Sequence, residues 1–92
     1  MFTVYILLCD ELVYYVGITD NAARRLEQHL EHESFFTKRY QSVRLVYREL
    51  YETRILAAKR EKQLKGWSSA KKTALINNDI PRLKQLSKRK KV

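Results

Sequence analysis

Phe2-Thr3-Val4-Tyr5-Ile6-Leu7-Leu8-Cys9, a polar break at Asp10-Glu11, then Leu12-Val13-Tyr14-Tyr15-Val16-Gly17-Ile18 open the chain. Both runs are rich in β-branched and aromatic residues, which suit a pleated, packed surface. The first is apolar at almost every position and reads as a buried strand. The short gap between the two argues for an antiparallel hairpin, although no Asn-Gly marks the turn. Val4-Tyr5-Ile6 and Tyr15-Val16-Gly17 then place one tyrosine in each arm, ten residues apart.

Working outward, Asp20 or Asn21 offers an N-cap for a helix to about Glu31, with Ala22, Ala23, Leu26 and Leu30 on one face. Ser34 to Ser42 has no clear period and reads as an ordered loop. Val43 to Tyr51 partly alternates apolar with charged residues, as a half-exposed third strand does. Thr53 caps a second helix reaching about Lys65 and ended by Gly66, with Leu56, Ala57, Leu64 and Trp67 as its expected core stripe. Ser68 or Ser69 opens a third helix through about Asn77. Asp79-Ile80-Pro81 restarts a short helix, with proline in the first turn where its missing N–H costs nothing. The expected architecture is α/β (α+β): a three-stranded, mainly antiparallel sheet flanked by helices, in the order β-β-α-β-α-α. It spans residues 1–80, and a short helix with a basic tail fills 81–92.

A chain of 92 residues accommodates one compact domain. With 45% hydrophobic and 32% charged residues it is too apolar for intrinsic disorder. Cys9 is the lone cysteine, which excludes an intramolecular disulfide and a cysteine-based zinc site. Its place at the end of an apolar run makes it a core residue. No apolar run approaches the roughly 18 residues of a membrane span. The N-terminal stretch also lacks the basic lead-in and cleavage site of a signal peptide. The expectation is a reduced, cytoplasmic protein with no membrane partner. Lys and Arg total 19 against 10 acidic residues, a net charge of +9, and such an excess points toward a polyanion. Nucleic acid leads, because lysine and arginine gain affinity by displacing phosphate counterions.

Three elements carry chemistry. Paired strands bring Tyr5 and Tyr15 close, although cross-strand packing is the ordinary reason for such a pair. Gly17 at a strand end permits close approach of another group. Arg25 and His29 are i and i+4 neighbours on the first helix, and a guanidinium fork suits phosphate. Glu61 lies about 40° from Ala57 on a helical wheel, on the shoulder of the core stripe rather than the outer face. It sits among Lys59, Arg60, Lys62 and Lys65. A carboxylate in that setting is either an ion-pair partner for Lys65 or a Mg²⁺ ligand that shares the cation with substrate phosphate.

Taken together these residues resemble the GIY-YIG nuclease superfamily. Val4-Tyr5 and Tyr15-Val16-Gly17 match its paired motif, and Arg25 stands at the family's arginine, ten residues beyond the second tyrosine. His29 follows four residues later, and Glu61 matches the metal-binding glutamate four residues after a small residue, Ala57. Tyr14-Tyr15-Val16-Gly17-Ile18-Thr19 and Arg60-Glu61-Lys62-Gln63-Leu64-Lys65-Gly66-Trp67 are close to small bacterial single-domain members. The likeness covers roughly residues 2–75. Two departures stand out. Thr3 replaces the glycine of the first motif, and Ile18 stands where the excision-repair incision nucleases carry a lysine.

The resemblance implies a DNA endonuclease, of use in DNA repair, that hydrolyses a phosphodiester with one Mg²⁺ or Mn²⁺. Glu61 would hold the metal, Arg25 would stabilise phosphoryl charge, Tyr5 or Tyr15 would orient or deprotonate water, and His29 would assist. Lys38, Arg39, Lys71 and Lys72 are expected DNA-backbone contacts. The small size suggests recognition of DNA shape rather than a long sequence. Two alternatives are a nucleic-acid-binding module of the same fold without useful turnover, and a basic interaction domain for an acidic protein.

Overall fold

The computed structural model describes residues 1–30 and 39–87, apart from the side chains of Leu26, His29 and Leu30. Residues 34–38 of the expected loop and the tail from residue 88 lie outside the described residues. The elements are β1 (Phe2–Cys9), β2 (Val13–Thr19), α1 (Ala22–Leu30), β3 (Val43–Tyr51), α2 (Arg54–Lys65), α3 (Ser69–Ile76) and α4 (Ile80–Ser87). The strands form one antiparallel sheet in the order β2-β1-β3. The expected order is observed, and the segment around Pro81 completes a fourth helix.

The central place of β1 explains its unbroken apolar run. It has a strand on each side and buries Val4, Ile6, Leu7 and Cys9 completely. Val4 and Ile6 join Val16, Ala57 and Leu64 in a core on the α2 face. Tyr5, Leu7 and Cys9 point to the other face, where Tyr15, Tyr40, Val43 and Leu45 pack against them. Burial pushes the Cys9 thiol above its ordinary range, as befits a core residue.

The hairpin turn dispenses with glycine. Asp10 (φ 52°) and Glu11 (φ 56°) both adopt the left-handed conformation, and the Leu12 N–H donates to the Cys9 carbonyl at 3.0 Å. That backbone matches strand twist but disfavours residues with a Cβ. Contacts from the start of β3 compensate. Asp10 Oδ1 accepts the N–H groups of Gln41 and Ser42, each at 2.8 Å, and the Asp10 N–H donates to the Ser42 carbonyl at 2.8 Å. Glu11 pairs with Arg44 at 2.8 Å, fully in solvent.

Val46 is an extra residue in β3, because Ile6 pairs with Tyr47 while Leu7 pairs with Leu45. This bulge explains the imperfect alternation of the strand. Val43 and Leu45 face the Leu7 side, whereas Val46, Tyr47 and Tyr51 face α2.

Helix ends follow local chemistry. The side chains of Asn21, Thr53 and Ser68 accept the N–H groups of Arg24, Leu56 and Lys71. Gly66 ends α2 as expected but with right-handed backbone, φ −80°. One expectation is corrected. Leu56 is 50% exposed and no part of the core, while Ala57 and Leu64 are fully buried. Leu56 sits about 100° around the helix from Ala57, and the small Ala57 is the residue that docks on the sheet.

Candidate active site

The β1–β2 register sets Tyr5 opposite Gly17. A Cβ at position 17 would lie only 2.4 Å from Cζ and Oη of Tyr5. The missing side chain is therefore what lets the Tyr5 ring lie across β2. Diagonally behind it on the same face stands Tyr15, with ring centroids 6.3 Å apart and planes tilted by 42°. Arg25 rises from the first turns of α1, its N–H bonded to the Asn21 carbonyl at 3.0 Å. Its guanidinium hydrogen-bonds Tyr5 and, more weakly, Tyr15, and the Tyr5 bond is the largest influence holding Arg25 protonated. The Arg25 Nη1 also donates to Gln28 Oε1 at 3.3 Å.

Opposing effects act on the Tyr5 phenol. Burial raises its pKa, the Arg25 hydrogen bond lowers it, and burial wins, leaving the group pushed up to about 12. The negative charge of Glu61 also pushes this phenol up, as the smallest of the five influences. Glu61 is thus within electrostatic reach of Tyr5. Its carboxylate is 20% exposed and meets Lys65 Nζ at 3.5 Å. Tyr5, Tyr15 and Arg25 form one connected cluster, and Glu61 approaches it from α2.

Hollows surround this cluster. One of about 290 Å³ runs from Tyr5 past Thr3, Ala22, Ala23, Leu45 and Arg48. Another of about 300 Å³ joins Tyr14, Tyr15 and Val16 to Lys65 and Lys72. A third of about 270 Å³ holds Arg25 with Thr19, Asp20, Asn21, Arg24 and Gln28. Each of the three clustered side chains therefore opens onto a different cavity. The parts played by Thr3 and Arg48 escaped sequence reasoning, whereas the i+4 pairing of Lys65 with Glu61 is the ion pair that the sequence offered. Arg48 reaches Tyr5 only through the β1–β3 register, for which no local signal exists.

The other expected residues are dispersed. Arg39 stacks on Tyr40, 5.2 Å from its centroid. The Lys71 ammonium sits 4.3 Å from the centre of the Trp67 indole. Lys72 faces the cavity beside Tyr15. Lys38 and the His29 side chain lie outside the described residues.

Residues 1–74 match the family model of the GIY-YIG catalytic domain. The chain belongs to the GIY-YIG family. UPF0213 proteins of Staphylococcus aureus strains Mu3 and N315 are each 38% identical to it over 74 residues, or 79% of this chain and 90% of theirs. A solved relative is the UPF0213 protein BH0048 of Bacillus halodurans, whose solution NMR structure gives a TM-score of 0.56 at 26% identity. That match covers 97% of this chain and all of the other. The likeness extends over the sheet and every described helix, so these residues have the fold of a small GIY-YIG domain.

The donor set suits one kind of metal. Among the described residues no three His, Cys, Asp or Glu side chains gather into a cage. Glu61 offers a single hard oxygen donor, partly buried, and among the described residues it pairs with Lys65 at 3.5 Å. Mg²⁺ is commonly bound this way, by one or two carboxylates with water and substrate phosphate completing its shell. The residues present fit such an ion. No described helix is long and apolar enough to cross a membrane.

Proposed function

We propose that this GIY-YIG protein is a divalent-metal-dependent DNA endonuclease that recognises DNA structure rather than a long sequence. The observation that carries the reading is the Tyr5–Gly17 contact closed by Arg25. A backbone position is kept bare so that a buried phenol reaches a guanidinium. Core packing alone does not require that arrangement, whereas phosphate chemistry uses both groups. The net charge of +9 suits a polyanionic substrate.

In this reading Arg25 binds the non-bridging oxygens of the scissile phosphate and stabilises the charge that accumulates there. Tyr5, protonated until about pH 12, serves as a hydrogen-bonding group that orients a water or a phosphate oxygen rather than as a base. Tyr15 borders the open cleft and is the phenol better placed for the attacking water. Glu61 would hold Mg²⁺ or Mn²⁺, which supplies Lewis-acid polarisation of the phosphoryl oxygen when bound. His29 is assigned an assisting proton-transfer or phosphate role, and Lys38, Arg39, Lys71 and Lys72 backbone contacts. Recognition of branched or flapped DNA makes repair the fitting setting and the cytoplasm the fitting compartment.

Incubation of the purified protein with flapped, branched and nicked DNA in Mg²⁺ or Mn²⁺ tests this. Cleavage of at least one substrate is expected, and its loss in Glu61→Ala. Undiminished cutting by that variant removes the metal role from Glu61. Salt-sensitive binding with no cutting of any substrate leaves a nucleic-acid-binding module instead.

A further inference from the structure

The cavity at the β2 edge is bordered by Tyr14, Tyr15 and Val16 from the strand, Lys65 from α2 and Lys72 from α3. Tyr14 and Tyr15 point to opposite faces of the sheet, so a hollow touching both lies at the strand's open side. It adjoins the catalytic cluster twice. Tyr15 belongs to both, and Lys65 contacts Glu61 at 3.5 Å. We propose that this cleft is a phosphodiester-binding subsite for the strand being cut, with Lys72 as its principal cation and Lys65 as a second one shared with Glu61. The inference rests on the nuclease reading for its placement beside the scissile bond.

Two features favour an anion here. Among the described residues no acidic side chain pairs with Lys72. Burial alone holds its ammonium below the usual lysine range, so the site keeps a partly desolvated cation that no described acidic side chain balances. A phosphate would relieve that cost. Lys65 is bound to its carboxylate only through a long contact at an exposed end, and a cation on Glu61 would free it for the same phosphate. Tyr14 does not compete, because its hydroxyl is engaged with Thr73 Oγ1 at 2.8 Å. Lys71, the preceding residue, lies over the Trp67 ring and does not line this cavity. A strand following the β2 edge would thus meet Arg25 and Glu61 at one phosphate and Lys72 at a neighbouring one.

The test is fluorescence anisotropy with flapped DNA in EDTA, where binding is read without cutting. Lys72→Gln is expected to weaken binding about three- to fivefold and to reduce the slope of log Kd against log salt by about 0.9. Lys72→Arg should restore both values, and Lys84→Gln, on α4, should change neither. In Mg²⁺, Lys72→Gln should raise KM and spare kcat, the mark of a contact made equally before and during reaction. An unchanged Kd and salt slope in Lys72→Gln overturns the subsite. So does a polyglutamate peptide that binds through Lys72 as tightly as DNA, since the cleft would then serve an acidic protein. The two readings fail separately. DNA bound through Lys72 but never cut refutes the nuclease, whereas cutting with wild-type KM in Lys72→Gln refutes the subsite.

Discussion

Arg60 and Glu61 are neighbours on α2 with surroundings that differ in kind. The Arg60 guanidinium forks onto Glu49 of β3, with Nε to Oε1 at 2.9 Å and Nη2 to Oε2 at 3.0 Å. The hydroxyls of Tyr51 and Tyr47 donate to the same two oxygens at 2.6 and 2.5 Å. Trp67 lies under the guanidinium at 5.1 Å. Four donors nearly fill the lone pairs of one carboxylate. Burial pushes Glu49 up, but the arginine and the two hydroxyls outweigh it and hold the carboxyl below its usual range. Glu61, one residue on, meets among the described residues only Lys65, at 3.5 Å. A saturated carboxylate ties two elements together, while one with fewer partners among the described residues keeps capacity for a ligand. Charge and burial of the two carboxylates are similar, so satisfaction of hydrogen bonds is what distinguishes them.

Substituting each acid isosterically should pull these roles apart. Glu61→Gln is expected to slow cleavage by on the order of 1,000-fold, the loss of several kcal/mol of charge stabilisation, with the melting temperature almost unmoved. Single-turnover rates on flapped DNA beside a thermal melt would check both halves. Glu49→Gln should do the opposite and cost about 2–3 kcal/mol in urea unfolding, below the fully buried case because both partners retain some exposure. If Glu49→Gln unfolds like wild type, the scaffold reading of that cluster is lost.

Gly17→Ala comes next. The new methyl meets the Tyr5 ring at 2.4 Å, and displacing that ring should cost about 1–3 kcal/mol and break its hydrogen bond to Arg25. In a Gly17→Ala/Tyr5→Ala double variant the stability cost of the first change should largely vanish, a non-additivity that denaturation curves would reveal. Asp10→Ala, far from either acid, should cost about 1–2 kcal/mol, since two backbone donors lose their acceptor beside a turn with positive φ.

A separate effect appears only in alkali. Tyr5 and Tyr47 are both pushed up to about 12, from an ordinary value of 10.0. Between those values the unfolded chain releases protons that the folded chain keeps, so stability should fall as pH rises from 10 to 12. Replacing both tyrosines by phenylalanine should flatten that stretch of the stability–pH curve.

Much of this was legible in residue order. The two β-rich runs around Asp10-Glu11 announced the hairpin, and Thr53 and Ser68 announced their helices, because strand pattern and capping act over a few residues. Tyr5, Tyr15, Arg25 and Glu61 were identifiable through their resemblance to the family motif, and the first three do meet. Leu56 was misread because a wheel assigns angles without saying which residue touches the sheet. The Glu49 cluster drew no notice, since its donors come from β3 and α2, eleven residues apart, and nothing local marks it.

By itself, then, the order of residues determined which segments become strands and helices, the antiparallel start and the cationic character, all consequences of short-range preference and composition. Only the folded chain decided that β1 is central, that Tyr5 crosses β2 over Gly17, and that Arg60 of α2 forks onto Glu49 of β3. Those outcomes depend on register and helix docking, in which residues distant along the chain compete for the same few hydrogen-bonding partners and the same volume.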